Sequence, residues 1–308
     1  MQASPVRIGS RGSPLALAQV REVQARLEAA LGTAAPPFEV KIYKTTGDRI
    51  QDRLLSEAGG KGLFTKELEE ALLAREIDFA VHSMKDMPTV LPEGLAIRSI
   101  LPREDVRDAL ISRTARTFDD LPPGAVVATA SLRRQAQVKR MRPDLTVVPL
   151  RGNVETRLRK LDDGVADATL LAHAGLRRLG LEAHIASVVS TDLMLPACAQ
   201  GAIGIEVRAD DAATTALIAA INHQPSALCV ETERAFLGRL DGSCRTPIAG
   251  LAVLDATGVH FRGMILTPDG REAHATERRG APQEAVKLAV DAAEELLAAA
   301  GPNFLRTA

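Results

Sequence analysis

The sequence predicts two similar α/β domains with mainly parallel sheets, followed by a small α+β domain at the C-terminus. Three observations support this prediction. The chain has 308 residues, more than a single hydrophobic core usually accommodates. Short apolar strands alternate with amphipathic helices over the first two thirds, and this rhythm restarts after the Pro-Pro-Gly turn at 122–124. The last third changes to consecutive strand-like segments between two helices.

The first domain begins with a strand over residues 6–10. Ser13 then caps a helix whose first residue is Pro14, and apolar residues recur at helical spacing as far as Leu31. Further elements are expected at 39–45 (strand), 63–75 (amphipathic helix), 78–83 (strand) and 203–207 (a strand that could return to the same sheet). Strands that alternate with helices in this way indicate a parallel sheet.

The second domain repeats the pattern, and the third departs from it. Second-domain elements are expected at 126–130 (strand), 132–142 (helix), 146–150 (strand), 154–161 (helix) and 168–172 (strand). Third-domain elements are expected at 226–240 (helix), 248–254, 259–266 and 272–278 (strands) and 282–300 (helix). The domain boundaries predicted from these elements are 1–101 with 200–221, then 106–196, then 224–308.

Composition excludes several classes of function. The net charge is −1, with 38 Lys and Arg against 39 Asp and Glu, so no overall field attracts nucleic acid or acidic lipid. Aromatic residues make up 3% of the chain and Trp is absent, which argues against base-stacking surfaces. No stretch approaches the ~20 apolar residues of a membrane span, and the first ten residues lack a signal-peptide core. We therefore expect a cytoplasmic protein without nucleic-acid or membrane partners.

The chain has three cysteines, Cys198, Cys229 and Cys244. Three thiols without close spacing fit neither a disulfide framework nor a zinc site, so no metal is expected. Cys244 lies in a Gly-bounded loop beside Arg245, whose positive charge favours the thiolate. Cys198 and Cys229 fit packed positions in the core, so Cys244 is the best candidate for a reactive thiol.

Arginines follow the predicted strand ends of both α/β domains, where open α/β sheets bind their ligands. A single arginine of this kind is usually only solvated, but three or four at successive strand ends indicate a ligand with several carboxylate or phosphate groups. Paired arginines at the start of the 132–142 helix oppose the helix dipole, which an anion among them would offset. The segments are Gly9–Pro14 with Arg11, Thr129–Arg134 with Arg133 and Arg134, Arg151–Arg157, and the pair Arg177 and Arg178.

Two further loops invite a functional interpretation. The Gly-rich loop that contains Lys61 suits a mobile lid, although an inert loop is nearly as good an explanation. Asp86 and Lys85 follow the strand that ends at residue 83, where a carboxylate can act as an acid, a base or a cation stabiliser. The alternative is a local Lys–Asp pair worth ~0–1 kcal/mol. His82 lies within an apolar run, so a hydrogen-bonded core histidine is expected there.

Taken together, these motifs closely resemble those of the porphobilinogen deaminase family, and the resemblance covers nearly the whole chain. The segment Glu233–Ala249 around Cys244 is similar to the family's cofactor-cysteine signature. Val81–Asp86 is similar to the segment that carries its catalytic aspartate. Other matching segments are Ala130–Arg134, Leu150–Arg157, Gly175–Gly180 and Gln200–Gly204.

The resemblance implies a transferase of tetrapyrrole and heme synthesis, with a dipyrromethane cofactor joined to Cys244 by a thioether. Such an enzyme adds four porphobilinogen units head to tail, releases ammonia each time, and frees hydroxymethylbilane by hydrolysis. Each pyrrole carries an acetate and a propionate, so the growing chain accumulates the carboxylates that an arginine cluster suits. The resemblance also implies a monomer.

The same resemblance implies roles for individual residues. Asp86 is the expected catalytic residue, and Lys61 falls in the family's mobile loop. The residues expected to bind the cofactor are Ser83, Lys85, Thr129, Ser131, Arg133 and Arg134. The residues expected to bind substrate or the growing chain are Arg11, Gln19, Arg151, Arg157 and Arg178.

This sequence departs from the family pattern at two positions. Ala130 stands where many members have a second Ser, so one hydroxyl contact is expected to be missing. Ala199 stands before Gln200 where Gly is usual, which could stiffen a hinge. Neither change affects Cys244 or Asp86, so activity should be retained.

Two other classes of function are consistent with parts of the sequence. A two-domain architecture like that of periplasmic binding proteins is common among proteins that only capture ligands, but the third domain with Cys244 and the acidic Asp86 argue against one. A cysteine-dependent hydrolase would use Cys244 as nucleophile with His82 or His260 as base. Nothing in the sequence places either histidine beside Cys244.

Overall fold

The computed structural model describes residues 4–49, 62–242, 246–301 and residue 304. Its contacts divide the chain into two compact units, Met1–Glu104 with Ala202–Ala227, and Asp105–Gly201 with Leu228–Ala308. The strands are β1 (Val6–Arg11), β2 (Phe38–Tyr43), β3 (Phe79–Ser83), β4 (Leu95–Ile100), β5 (Asp108–Ser112), β6 (Val126–Ala128), β7 (Thr146–Val148), β8 (Ala168–Ala172), β9 (Ser187–Val188), β10 (Ile203–Arg208), β11 (Ile248–Asp255), β12 (Gly258–Leu266) and β13 (Ala273–Gly280). The α-helices are α1 (Pro14–Leu31), α2 (Thr46–Arg49), α3 (Lys66–Leu73), α4 (Leu132–Met141), α5 (Val154–Asp162), α6 (His173–Leu179), α7 (Ala212–Ala219), α8 (Gln224–Arg239) and α9 (Ala285–Ala300).

The first unit is built on a sheet with the strand order β2-β1-β3-β10-β4. β1 pairs in parallel with β2 and β3, whereas β10 runs antiparallel to both β3 and β4. Four of the five strands therefore point the same way. β10 is the exception, and it is the first strand formed after the chain re-enters this unit at residue 202.

Each face of this sheet is covered by a helix. Ser13 caps α1, because its side chain accepts a hydrogen bond from the backbone of Ala16, and Pro14 occupies the first helical position as predicted. α1 buries Val20, Val23 and Leu27 against one face of the sheet. The opposite face packs against α3, which is shorter than the predicted 63–75 helix.

The second unit contains a sheet of the same design, with the order β7-β6-β8-β5-β9. β6 is parallel to β7 and β8, and β5 is antiparallel to β8 and β9. β5 thus matches β10: it is the first strand after the chain enters the unit, and it runs against the other four strands. The two similar, mainly parallel α/β sheets are confirmed, and the inserted antiparallel strand in each is an addition to the prediction.

A third, antiparallel sheet of order β11-β12-β13 also belongs to the second unit. Phe236 of α8, Phe261 of β12 and the alanine-rich face of α9 form its core. Alanines let α9 lie close to the strands, which suits a core with few large aromatic residues. Cys198 and Cys229 are buried in this core, which confirms the packed positions expected for them.

Several elements were not predicted from the sequence: β4, β5, β9, α2, α6 and α7. β9 spans only two residues, and β5 begins with a charged residue, Asp108. None of the helices in the described ranges combines the length and apolar character needed to span a bilayer.

Candidate functional site

A small cavity in the first unit brings together four of the residues expected at the site. Arg11, Gln19, Ser83 and Asp86 all line it, although they come from three separate segments of the chain. β1 and β3 are parallel neighbours, so their carboxyl ends meet at the same edge of the sheet. Arg11 ends β1 and Ser83 ends β3, which explains why distant segments contribute to one cavity.

Gln19 and Ser83 are held by each other. The Nε2 atom of Gln19 donates to the hydroxyl of Ser83 over 2.8 Å. Gln19 is buried on the inner face of α1, while Ser83 is half-buried at the end of β3. The pair links α1 to β3 and offers a preorganised amide and hydroxyl to a ligand in the cavity.

Arg11 is engaged by an acidic residue that the sequence did not reveal. Its guanidinium binds both carboxylate oxygens of Asp48 and lies over the ring of Phe64, 4.3 Å from the ring centroid. Burial raises the pKa of Asp48, but hydrogen bonds from Arg11 and Thr45 outweigh it and hold the pKa below its usual value. A ligand carboxylate at Arg11 must therefore share the guanidinium with Asp48.

Asp86 ends a short 3-10 turn, Met84–Asp86, that directly follows β3. Lys85 lies in the same turn, and Asp86 is half-buried where it lines the cavity. His82 precedes this turn and is 5% exposed, with its Nε2 atom 2.9 Å from a carboxylate oxygen of Glu206 on β10. The hydrogen-bonded core histidine predicted at this position is confirmed.

In the second unit, Arg133 and Arg134 are buried around a single carboxylate. The Nη2 atoms of the two arginines lie 2.8 Å from opposite oxygens of Asp108, which is fully buried at the start of β5. Burial raises the pKa of Asp108, but the charges of Arg133 and Arg134 outweigh it and hold the pKa far below its usual range. The anion expected among these paired arginines is thus, at least in part, the protein's own Asp108.

Further hydrogen bonds fix the two guanidinium groups. Arg133 donates to the carbonyl of Leu195 over 2.8 Å, and Arg134 donates to the carbonyl of Leu170 over 2.9 Å. The amide of Gln200 also donates to Asp108, over 3.0 Å. Asp108 was not predicted as a site residue. The only signal in the sequence was an acidic residue directly before an apolar run, and this segment resembled a linker between domains. The structure shows that it is β5, a strand inside the sheet.

The net charge of this cluster still favours the binding of another anion. Two guanidinium groups and one carboxylate, +2 − 1, leave a net charge of +1 in a buried position. The Nε–H group of Arg133 is buried and donates to no acceptor among the described residues. A carboxylate-bearing group is the chemistry that this donor set fits. Two hydroxyl side chains, Thr129 and Ser131, precede these arginines, and Ser131 caps α4.

The other expected arginines of this unit also follow strand ends. Arg151 follows β7 and Arg178 lies in α6 after β8; β6, β7 and β8 run parallel, so their ends share one edge of the sheet. The Nε atom of Arg151 is buried with no partner in the described part of the chain. Arg157 donates to the carbonyl of Gly152 over 2.9 Å, and Arg178 donates to that of Gly201 over 3.1 Å.

Two expected site residues, Cys244 and Lys61, lie outside the described residues. The histidines considered as bases for a hydrolase each lie beside a carboxylate. His82 is bound by Glu206 in the first unit, and His260 on β12 lies 2.7 Å from a carboxylate oxygen of Glu277.

Comparisons with known proteins agree with the motif-based expectation. The family model described as "Porphobilinogen deaminase, dipyromethane cofactor binding domain" matches residues 6–216, and the model "Porphobilinogen deaminase, C-terminal domain" matches residues 227–298. A porphobilinogen deaminase of Paracoccus denitrificans (strain Pd 1222) is 59% identical over 302 residues, covering 98% of this chain and 96% of the relative. One from Nitrobacter hamburgensis (strain DSM 10229 / NCIMB 13809 / X14) is 55% identical over 297 residues, covering 96% and 94%.

Among solved structures, a putative methionine-binding lipoprotein from Bacillus subtilis subsp. subtilis str. 168 is similar to this chain with a TM-score of 0.45 and 14% identity. That similarity covers 71% of this chain and 90% of the lipoprotein. The two family models together extend over both described units, and the two relatives match nearly from end to end. The chain therefore belongs to the porphobilinogen deaminase family.

Proposed function

We propose which role individual residues of this chain have in the reaction that its family carries out. The chain is a transferase of porphyrin synthesis that joins four porphobilinogen units head to tail on a covalently bound dipyrromethane cofactor. Ammonia leaves as each unit is added, and hydroxymethylbilane is the product. The observation that supports our assignment most strongly is the shared cavity of Asp86, Arg11, Gln19 and Ser83.

Asp86 is the proposed catalytic residue. Deamination of a pyrrole substrate creates an electron-poor centre, and a nearby carboxylate stabilises the positive charge that develops there. In its protonated form the same group can give its proton to the departing amine, and the carboxylate left behind can accept a hydrogen bond from a pyrrole N–H. Its place at the end of β3, in a cavity lined by polar side chains, supports this role.

Cys244 is the proposed attachment point of the cofactor, with Ser83, Lys85, Thr129, Ser131, Arg133 and Arg134 as the residues that hold it. The cofactor supplies two linked pyrrole rings, to whose free end the substrate units are joined. The net charge of +1 on the Arg133–Arg134–Asp108 cluster, with one unpartnered buried N–H, supports a carboxylate ligand there. This part of the chain orients the ligand and excludes water from the buried guanidinium groups.

The remaining arginines are the proposed contacts of incoming substrate and of the growing chain: Arg11, Arg151, Arg157 and Arg178, together with Gln19. Each added pyrrole brings two carboxylates, so several separate cationic positions are required. Arg151 supports this assignment best, because its buried Nε atom has no partner among the described residues. Arg11 would bind a substrate carboxylate beside Asp48. Lys61 is proposed to lie in a loop that moves over the site.

Mass spectrometry and turnover test these assignments together. Wild-type protein expressed with ample porphobilinogen should carry an adduct of two pyrrole units, and Cys244→Ala should lack it. Asp86→Asn should keep the adduct but lose nearly all turnover, since it retains the shape of the side chain and removes its charge. An adduct on Cys244→Ala would contradict the attachment residue, and near-normal turnover of Asp86→Asn would contradict the catalytic role.

We further propose three domains, 1–101 with 200–221, 106–196 and 224–308, in a cytoplasmic monomer that binds porphobilinogen and neither nucleic acid nor membrane. Three separate sheets support the domain division. The three widely spaced cysteines fit no disulfide framework, which suits a reducing compartment. Cell fractionation tests the compartment, and limited proteolysis near the proposed boundaries tests the domains; cuts confined to domain interiors would contradict the division.

A further inference from the structure

We propose that Gly204 and His82 are positioning residues for the reaction, through which β10 holds the turn that carries Asp86. Gly204 lacks a side chain and so leaves a space, here called the notch, that the side chain of Met84 fills. His82 forms a buried hydrogen bond with Glu206 of β10. The inference rests on the catalytic role proposed for Asp86. It concerns how the fold places that carboxylate, and it assigns neither Gly204 nor His82 any contact with substrate.

The pairing of β3 and β10 places these residues on one face of the sheet. The two strands are antiparallel, with His82 opposite Gly204 and Ala80 opposite Glu206. Residues directly opposite each other point to the same face, and so do residues two apart on one strand. His82 and Glu206 are therefore diagonal neighbours, and Gly204 leaves the space between them without a side chain.

The turn after β3 fills that space. A Cβ atom at Gly204 would lie 2.0 Å from the sulfur of Met84 and 2.9 Å from its Cγ atom, so any other residue here would force the buried side chain of Met84 to move. Met84 is 2% exposed, and its backbone N–H donates to the carbonyl of Ala202 over 3.0 Å. Met84 is the first residue of the turn and Asp86 the last, so both contacts act directly on the catalytic turn.

The second contact fixes the strand just before the turn. His82 lines the same cavity as Asp86, and its Nε2 atom binds Glu206, which is 0% exposed. The other oxygen of Glu206 is buried and has no hydrogen-bond partner in the described part of the chain. Because a buried carboxylate is costly without a partner, the His82 contact constrains both strands strongly.

The surroundings of His82 reinforce this constraint. Glu69 of α3 faces the pair; burial raises its pKa, the charge of Glu206 raises it further, and Thr65 and His82 offset part of the effect. Among the described residues, Arg11 and Asp86 are the other titratable side chains that line the cavity with His82. Glu206 and Glu69 are thus two buried carboxyl groups that both interact with His82. A displaced imidazole would weaken its interactions with both groups.

The notch is tested with cofactor-loaded enzyme. Gly204→Ala should lower kcat by about tenfold or more with KM changed by less than about twofold, because a misplacement of about 1 Å in a catalytic group costs up to about 100-fold. Adding Met84→Ala should restore kcat to within about threefold of the Met84→Ala single variant, since the clash is then removed. Failure of this rescue would overturn the role of Gly204.

Gly263→Ala is the matched control, because Gly263 lies in β12 of the third sheet and its Cβ atom would lie 2.7 Å from the ring of Phe236 on α8. It should lower the melting temperature and leave kcat unchanged; an equal loss of kcat would show that Gly204 acts only through stability. Should Gly204→Ala not fold, Met84→Ala alone decides: it should lower kcat by about threefold or more, because the turn loses its anchor, and an unchanged kcat would overturn the proposal.

His82 is tested by a conservative pair of variants. His82→Gln can still donate to Glu206 and should keep kcat within about threefold, whereas His82→Leu should lose about tenfold or more with the cofactor adduct present by mass. Equal kcat values for the two variants would overturn the role of the hydrogen bond. If Asp86→Asn remains active, the proposed function fails; if Asp86→Asn is inactive while Gly204→Ala and His82→Leu turn over normally, only the positioning role fails.

Discussion

At the scale of single residues, three of the candidate arginines have acidic partners within the protein. Sequence reasoning treated Arg11, Arg133 and Arg134 as open cations that await a ligand. The structure pairs Arg11 with Asp48, and Arg133 and Arg134 with Asp108. An arginine held by an acid keeps a fixed direction, so less side-chain entropy is lost when a ligand binds. These pairs therefore preorganise the site as well as partly neutralise it.

Ala199 shows how one residue can depart from the family pattern at a strained position. Its φ angle is +60°, the left-handed region that favours glycine, and its N–H donates to Glu233 over 2.5 Å. Relief of about 1–2 kcal/mol of backbone strain in Ala199→Gly should be largely offset by the loss of one buried methyl group, about 0.8 kcal/mol, and by chain entropy. The substitution should leave the free energy of unfolding within about 1 kcal/mol of wild type.

Ala128→Gly is the matched control for that prediction. Ala128 is equally buried but lies in β6 without a positive φ angle. Glycine at this position removes a buried methyl group and raises the entropy of the unfolded chain, and it relieves no backbone strain. Urea unfolding should give a loss of about 1–2 kcal/mol. Equal losses for the two variants would show that Ala199 carries no strain.

At the scale of elements, helix α4 illustrates why the paired arginines are tolerated. Arg133 and Arg134 lie in its first turn, where cations oppose the helix dipole. Asp108 comes from β5, a strand that joins the sheet beside β8, and supplies the negative charge that this helix end favours. The stability of α4 is thus tied to the insertion of β5.

The segment that leads into β5 gives a pH-dependent prediction. Burial raises the pKa of Asp105, but hydrogen bonds from Arg107 and His173 outweigh it and lower the pKa to about 2, from 3.8. The stability that ionised Asp105 contributes is present above pH 3.8 and is lost as the pH falls through about 2. Asp105→Asn should therefore be less stable than wild type at pH 6, and its stability should change less between pH 4 and 2.

Urea unfolding at a series of pH values provides the measurement. Asp119→Asn is the control, because Asp119 is exposed and undergoes the same change of charge. It should follow the wild-type pH dependence. If Asp105→Asn and Asp119→Asn behaved alike, the contacts of Asp105 with Arg107 and His173 would contribute nothing to the acid limb.

At the scale of the whole molecule, the path of the chain is the main organising feature. The chain leaves the first unit after residue 104, returns at 202 and leaves again after 227. When the chain passes from the first unit to the second after residue 104, the next strand is the antiparallel β5, and when it returns at 202 the next strand is the antiparallel β10. These strands contribute Asp108 and Glu206, so the residues that orient the candidate site in each unit come from the strand formed on entry.

A monomer is our prediction for the molecule as a whole. Light scattering coupled to size-exclusion chromatography should give a mass close to 32.8 kDa, the mass of one chain. The result should not depend on protein concentration, because a monomer has no association equilibrium. A mass near twice that value, or one that rises with concentration, would contradict the proposal.

The sequence by itself determined the class of fold and most of the candidate residues. Hydrophobic periodicity is a local property, so the elements α1, β3, β8 and α9 were recognised within a few residues of their ends. The motif around Asp86 and the arginines at strand ends were also recognised from short segments of sequence. Parallel strands bring their carboxyl ends to one edge of the sheet, which is why residues at strand ends were chosen as candidates. His82 was correctly placed in the core from its apolar neighbours alone.

Only the tertiary structure decided which side chains meet. β5 begins with a charged residue and is defined by its pairing with β8, so no local pattern marked it or the role of Asp108. The pairing of Arg11 with Asp48, and the space that Gly204 leaves for Met84, likewise join residues far apart in the chain. Local sequence records the preference of a segment for helix or strand, whereas the partner of a buried charge depends on sheet order and register, which long-range contacts determine.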